Sequence, residues 1–324
     1  MLWNNYSTLI AGGSSNVIAV VNPLSGAGAD PDAASRRVAL VESRLASAGI
    51  RGRVLVTTRP GHARELAARA AADRVALVIA WGGDGTINEV AGAIAGTETV
   101  LGVVPAGSGN GFANEIGIPR QPGRAIDVAL TGATRAIDAG EIDGRLFFNI
   151  AGIGFDAGVA ELFNACEQGR RGLGPYLRIA ATQAFRYRAR PYRIELDSET
   201  LDTQALLVVF ANGREYGNGM RLAPHASMED GLLEAVVADD RGPLARLWDA
   251  RHLMLGTADR APGLTRRSIR HASVETDGPM TYHADGEIGR AEGRITVAIH
   301  PGLLRVRVPP AAEESKAYGG IGRT

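Results

Sequence analysis

The chain has 324 residues, 45% of them hydrophobic, with 35 basic side chains against 35 acidic ones and a formal net charge of zero. That length accommodates two cores of ordinary size, and without an overall basic field no nucleic-acid partner is expected. Lys316 is the only lysine, which excludes a Walker P-loop, whose last glycine is followed by lysine, and any Schiff-base lysine in the body of the chain.

Residues 1–15 carry no basic region and only a short apolar stretch at 8–11, too little for a signal peptide or a membrane span, and are read as a loose extension. Strand and helix patterns then alternate: a strand at 17–21, a helix at 32–48, a strand at 54–57, a helix at 63–72, and strands at 75–81 and 100–104. Such alternation predicts a doubly wound α/β domain, a parallel sheet with helices on both faces, over residues 16–135.

The strand at 75–81, whose Trp81 is read as core, leads into Gly82-Gly83-Asp84-Gly85-Thr86, and a helical pattern starts at Ile87. Glycine lets the backbone come within hydrogen-bonding distance of a phosphate, and a helix N-terminus adds favourable partial charge. Asp84 would repel that phosphate unless a cation lay between them, so the turn points to metal-bound nucleotide. Taken singly the signal is weak, because strand-to-helix connections favour glycine, and Asp and Thr cap helices. The strand at 100–104 ends in a second such loop, Pro105-Ala106-Gly107-Ser108-Gly109-Asn110-Gly111, before a helical segment at 112–116. Two adjacent strands ending in amide-rich loops predict one anion-binding crevice at their C-terminal ends. The second loop is no dinucleotide fingerprint, since Phe112 stands where GxGxxG needs its third glycine.

Beyond about residue 133 the pattern changes to short period-2 runs. Runs at 136–142 and 146–150 flank Asp143-Gly144, a type I′ hairpin signal. Runs at 192–196 and 205–210 flank a polar turn, and those at 295–299 and 304–308 flank a turn containing Pro301-Gly302. These predict an antiparallel β-sandwich domain over 136–310, interrupted by a helical stretch at about 176–187, with 311–324 as a terminal extension. Cys166, the single cysteine, cannot close an internal disulfide and has no metal-ligand spacing, which fits a reducing, cytoplasmic setting. Asp84-Gly85, Asp230-Gly231 and Asp285-Gly286-Glu287 offer acidic groups from both domains, as a metal-phosphate site in an interdomain cleft requires.

These pieces stand in a recognisable order: Asn22-Pro23-Leu24-Ser25-Gly26, then Thr57-Thr58-Arg59-Pro60-Gly61-His62-Ala63, the GGDGT turn running to Glu89, and the loop from Pro105 to Asn110. They continue with Phe148-Asn149-Ile150-Ala151-Gly152-Ile153-Gly154-Phe155-Asp156, Ala211-Asn212-Gly213, Ala223-Pro224, Asp230-Gly231-Leu232 and Asp285-Gly286-Glu287. The ordered set, spanning about residues 16–310, resembles the diacylglycerol kinase catalytic-domain family, which includes bacterial soluble lipid kinases and the sphingosine and ceramide kinases.

The resemblance implies an ATP-dependent kinase that uses Mg²⁺ and phosphorylates a lipid hydroxyl at a membrane surface, most simply diacylglycerol to phosphatidic acid. It implies an ATP site lined by Asn22, Pro23, Ser25, Gly26, Thr57, Gly82, Gly83, Gly85, Thr86, Asn88, Glu89, Gly107, Ser108, Gly109 and Asn110. A structural Mg²⁺ is implied at Asp230 with backbone oxygens of Ser227 and Leu232, and catalysis by Glu287 as proton acceptor, with Asp285 of the same turn and Asp84 in the metal network. Between Asp84 and Glu287 as base, Glu287 is preferred, because Asp84 is better placed to handle metal and phosphate.

Ala27 and Gly28 follow the NPLSG turn where a basic residue is common in the family, so the compensating charge is expected from Arg36 or Arg37. Asn110-Gly111-Phe112 is closer to the sphingoid and plant-type form than to Asn-Asp-Phe, which leaves the acceptor open between diacylglycerol and a sphingoid base or ceramide. An NAD kinase, sharing the GGDG turn, and a non-catalytic nucleotide- or lipid-binding regulator are the other readings. His62 and His283, beside motifs, are read as hydrogen-bonded structural residues ahead of phosphate contacts.

Membrane docking on the inner face is assigned to the basic and aromatic stretch holding Arg170, Arg171, Arg178, Arg186, Arg188, Arg190 and Arg193, with a second amphipathic run at 244–255. No transmembrane segment is expected. The sequence leaves a homodimer open.

Overall fold

The computed structural model describes residues 16–26, 32–155, 157–158, 188–217, 220–242, 252 and 261–310. They fall into two compact units, residues up to 137 with those from 303 onward, and those from 138 to 302.

The first unit begins with β1 (Val17–Val21), α1 (Ala33–Ser47), β2 (Gly52–Val56), α2 (His62–Ala72), β3 (Leu77–Gly82), α3 (Asp84–Ile94), β4 (Val100–Pro105), α4 (Gly111–Glu115) and α5 (Pro122–Thr131). Strands β1 and β3 are buried along their whole length, as the apolar runs of a parallel sheet covered on both faces should be. Helix α1 buries Ala34, Val38, Val41 and Leu45, and α3 buries Ile87, Val90, Ala91 and Ile94, the spacing of a single apolar stripe. β1 pairs in parallel with β2 on one side and β3 on the other, and β3 pairs with β4.

Helices α1 and α5 pack against one another, α1 on β1 and β2 and α5 on β4, while α2 and α3 form a second helix pair. This is the doubly wound plan expected from the sequence. The strand order reverses at β1 and β3, the point where open α/β sheets leave a crevice. Helix α5 adds to the predicted elements. Its signals are Pro122 at the helix start and the buried Ala125, Ile126 and Ala129.

The remaining strands are β5 (Ala133–Ile142), β6 (Arg145–Phe147), β7 (Ile150–Gly154), β8 (Arg190–Leu196), β9 (Glu199–Ala211), β10 (Glu215–Gly217), β11 (Met220–Arg221), β12 (Leu233–Asp239), β13 (Leu264–Ile269), β14 (His271–Ala284) and β15 (Glu287–Val308). In the second unit β13, β12, β9, β7, β14 and β15 are neighbours in that order, all antiparallel where they pair. β8 joins the first half of β9 to the first half of β14, so the two long strands change partners along their length. The interior they enclose holds Phe147, Tyr192, Phe210, Val274, Tyr282 and Ile295, the two inner faces of a β-sandwich. Asp143 and Gly144 both have positive φ, 50° and 76°, which is the type I′ geometry predicted for the β5–β6 turn.

Two boundaries differ from expectation. Residues 295–299 and 304–308 do not form a hairpin around Pro301-Gly302 but lie in one strand, β15, which continues through Gly302 (φ 60°). At that point Gly302 N donates to Asp138 Oδ1 at 2.7 Å, a side-chain bond in place of the ladder bond that a reversing chain would make. Beyond it Val306 pairs in parallel with Leu101 of β4, so residues 303–310 pack with the first unit. The helical stretch at 176–187, the terminal extensions, Cys166 and the run at 244–255, apart from His252, lie outside the described residues.

Candidate active site

The parallel register of the first unit sets Val21 beside Val56 and Trp81, and Gly82 beside Pro105. The loops after β1, β2, β3 and β4 therefore leave the same edge of the sheet. Asn22 ties two of them together, its Nδ2 donating to Thr86 Oγ1 at 2.9 Å while its Oδ1 accepts from Leu24 N at 3.0 Å. Ser25 Oγ accepts from Gly83 N at 3.2 Å. Thr57 is buried and donates its own amide to Val21 O.

The two glycine loops touch backbone to backbone. A Cβ on Gly107 would lie 2.9 Å from the Gly83 Cα, and one on Gly82 would lie 2.4 Å from the Thr86 Cβ, so no larger residue fits either position without displacing a loop. Asp84 opens α3, and its Oδ2 accepts from Asn110 N of the other loop at 2.9 Å. Asn110 is left-handed, φ 54° and ψ 41°, a conformation that asparagine tolerates. Its side chain closes the loop on itself, Oδ1 accepting from Gly107 N at 2.7 Å and Nδ2 donating to Gly107 O at 2.8 Å. Gly85 and Ser108 are exposed at the tips, Gly109 sits over the Asp84 carboxylate, and Asn88 is buried on the inner side of α3. Glu89 faces the neighbouring helix, its carboxylate accepting from Gly61 N at 3.1 Å and Arg64 N at 3.3 Å. It fixes the N-terminus of α2, a favourable place for a negative charge.

Arg37 is one of the two arginines expected to make up for Ala27 and Gly28. Its guanidinium donates to Asn22 O and Ser25 O and lies 5.6 Å over the Trp81 ring, clamping the NPLSG turn from α1. His62 is structural, its Nδ1 accepting from Thr58 N at 3.1 Å. Nearby the Arg59 hydrogen bond holds the Glu65 carboxyl below its usual range.

In the second unit Ala284 pairs with Glu287 across a two-residue turn in which Asp285 and Gly286 have φ of 48° and 86°. Glu287 stands exposed just past this turn. Asp285 faces inward. Its Oδ2 accepts from Phe148 N at 2.7 Å, and its Oδ1 from Asn149 N at 3.0 Å and Ile150 N at 2.8 Å. Two members of one motif thus do different work: one carboxylate is presented, the other orders the backbone behind it. His283 is buried and its Nδ1 accepts from Gly286 N at 3.3 Å.

Asp230 is exposed, its Oδ1 accepting from Leu232 N at 3.0 Å, and Ser227 Oγ accepts from Glu229 N. Behind this loop lies Asp138, which the motif reading missed. It is 3% exposed, with Oδ2 accepting from Gly231 N and Oδ1 from Gly302 N, both at 2.7 Å. Among the described residues there is no group of three or more His, Cys, Asp or Glu that could cage a metal. Mg²⁺ does not need one, since it is commonly held by one or two carboxylates together with substrate phosphates, and Asp84 at the meeting of two phosphate-type loops fits that donor set. The basic stretch assigned to membrane docking lies outside the described residues except for Arg188, Arg190 and Arg193. Of these, Arg190 donates to Pro279 O and Asp277 O, and Arg193 approaches Glu195.

Comparison with known proteins matches both halves of the chain. Residues 16–142 match the diacylglycerol kinase catalytic domain, and residues 149–308 match the YegS C-terminal NAD kinase beta sandwich-like domain. A diacylglycerol kinase of Mycobacterium tuberculosis is 33% identical over 280 residues, 84% of this chain and 88% of its own length. A YegS-like lipid kinase of Chromohalobacter salexigens is 34% identical over 270 residues, 82% and 86% of the two chains. The crystal structure of a diacylglycerol kinase from Bacillus anthracis shares the fold, with a TM-score of 0.69 at 20% identity over 92% of this chain and 98% of its own. With both halves matched in order, and relatives a third identical along most of their length, the chain belongs to the diacylglycerol kinase catalytic-domain family of lipid kinases.

Proposed function

We propose that this lipid kinase transfers the γ-phosphoryl group of ATP, bound with Mg²⁺, to the primary hydroxyl of diacylglycerol, giving phosphatidic acid and ADP. The observation that carries the reading is the contact between the two glycine loops, with the Asp84 carboxylate bonded across their junction. Backbone amides of the loops after β3 and β4 receive the phosphates, and Asn22, Ser25 and Arg37 keep the loop after β1 in register with them. Asp84 would hold Mg²⁺, which would supply the charge compensation for the phosphoryl oxygens that this reaction mainly demands. Asp230, with the carbonyls of Ser227 and Leu232, would hold a separate, structural Mg²⁺. Glu287 accepts the hydroxyl proton as the new O–P bond forms and the bond to ADP breaks. Its exposure beyond a two-residue turn suits that role. Asp285 and Glu89 are positioning groups and not contacts to the reactants.

Diacylglycerol is preferred because it is the substrate named for relatives a third identical to this chain. The enzyme meets it at the inner face of the membrane. No helix among the described residues is long and apolar enough to cross a bilayer.

The test is incubation with γ-labelled ATP and Mg²⁺ in parallel with diacylglycerol vesicles, a sphingoid base, ceramide and NAD. Label in phosphatidic acid is expected. Label in a sphingoid phosphate would move the substrate class, and label in NADP would replace the reading with the NAD kinase that shares this sandwich.

A further inference from the structure

The Asp285-Gly286-Glu287 turn and the Asp230-Gly231 loop are far apart in sequence, yet a continuous chain of hydrogen bonds joins them inside the second unit. Asp285 takes the amides of Phe148, Asn149 and Ile150, and returns its own amide to Ile150 O at 2.8 Å. The segment so held is read on its other side by Asn212. Asn212 N and Gly213 N donate to Asn149 O at 2.9 and 3.0 Å, and Asn212 Nδ2 donates to Phe148 O at 2.8 Å. The same Nδ2 donates its second hydrogen to Asp138 O at 2.9 Å, and the Asp138 carboxylate holds Gly231 N. Asn212 has 0% exposure. No water can replace its two bonds without entry into the interior, and both carbonyls would lose a buried donor if the amide were removed.

We infer that Asn212 is a positioning residue that couples the turn bearing Glu287 to the loop bearing Asp230, so that proton acceptor and metal loop keep one fixed spacing. A single side-chain amide is suited to this, because one nitrogen carries two hydrogens in fixed directions. The inference rests on the roles proposed above for Glu287 and Asp230, but it concerns a residue that touches neither reactant.

The experiment compares Asn212→Ala and Asn212→Ser with the unaltered full-length enzyme in three readouts. In steady-state kinetics kcat should fall on the order of 10²-fold, the scale of a misplaced catalytic group, while KM for ATP changes less than about threefold. The Mg²⁺ concentration for half-maximal rate should rise. In amide hydrogen exchange without nucleotide or metal, protection should be lost together at Asn149 and at Gly231. In a Glu287→Gln background, adding Asn212→Ala should lower the residual rate by less than about threefold, because the effect on the proton acceptor is already gone.

Folded Asn212 variants with unchanged kcat and unchanged exchange at Gly231 would overturn the inference. If neither variant folds, Asp285→Asn tests it from the other end of the chain: raised exchange at Gly231 supports the coupling, and exchange confined to residues 148–150 overturns it. Wild-type turnover in Glu287→Gln alone would instead remove the proposed base, which distinguishes failure of the functional reading from failure of the coupling.

Discussion

The glycine loops of the first unit are made by leaving side chains out: Gly82, Gly83 and Gly107 let two strand ends meet backbone to backbone, and the Gly83 and Gly107 amides are taken up within the loops by Ser25 Oγ and Asn110 Oδ1. The turns of the second unit are made by turning carboxylates inward, Asp285 on three amides and Asp138 on two. An acidic residue in a motif is therefore not by itself a catalytic one. Asp84 and Glu287 differ from Asp285 in what their carboxylates meet, a loop junction and solvent in the first two cases, a fully used backbone in the third.

Asp84→Asn puts this contrast under the greatest strain. The amide oxygen can still accept from Asn110 N, so the fold and its melting temperature should be retained. Loss of the charge should lower kcat by on the order of 10³ or more, the scale of removing a charge-stabilising group in phosphoryl transfer. Near-normal turnover of the folded mutant would sink the assignment of Asp84 to metal and phosphate.

Asp285→Asn should behave differently, because one carboxylate oxygen becomes an NH₂ group facing a backbone N–H. Leaving that amide unsatisfied costs about 1–3 kcal/mol, enough to lower Tm by several degrees in a chain of this size. Thermal denaturation beside Glu287→Gln, which should melt like the wild type, decides the matter. Equal Tm values for all three proteins would contradict the division of labour within the motif.

For the first unit, Arg37→Ala should raise KM for ATP by roughly tenfold, since hydrogen bonds from a charged group are worth about 1.5–3 kcal/mol, with a smaller change in kcat. Arg37→Lys should recover only part of this, because an ammonium cannot span both carbonyls as the planar fork does. Unaltered ATP titrations would show that the NPLSG turn holds itself.

The smallest effect concerns neither site. Glu199 accepts two hydrogen bonds from Arg267, at 2.6 and 2.9 Å, which hold its carboxyl below the usual range. The unfolded chain then binds the proton more readily, so the contribution is present above the unfolded pKa and fades as pH falls through the lower, folded one. Both groups are exposed and the contribution is small. Arg267→Ala should slightly flatten the acid limb of a Tm-against-pH curve, and an acid limb unchanged in shape would assign the pair no role.

The parts of the molecule that could be read in advance are those whose signal is local. The buried runs of β1 and β3, the two glycine loops and the Asp143-Gly144 turn each carry their instruction in a few neighbouring residues. The start of β9 was hidden because residues 199–204 alternate polar side chains on a half-exposed hairpin. A broad polar turn was expected there, whereas the chain reverses in two residues at Asp197, φ 49°. Pro301-Gly302 reads as a reversal in any local view, and only the distant Asp138 makes it a passage between units. Asp138 carries no motif signal at all, and Arg37 only the lack of a basic residue at Ala27 and Gly28, which points equally to Arg36. One lies within a helix and the other within a strand, and their partners are backbone groups 12 or more residues away.

The proposed role of Glu287 is tested most directly by single-turnover transfer. Labelled Mg-ATP is first bound to excess enzyme, wild type or Glu287→Gln, then mixed with diacylglycerol vesicles, and phosphatidic acid is followed by rapid quench. The account predicts equal ATP affinity and a transfer rate lower by roughly 10²- to 10⁴-fold in the mutant, the range of a lost general base. Equal transfer rates, or a loss that appears only as weaker ATP binding, would contradict it.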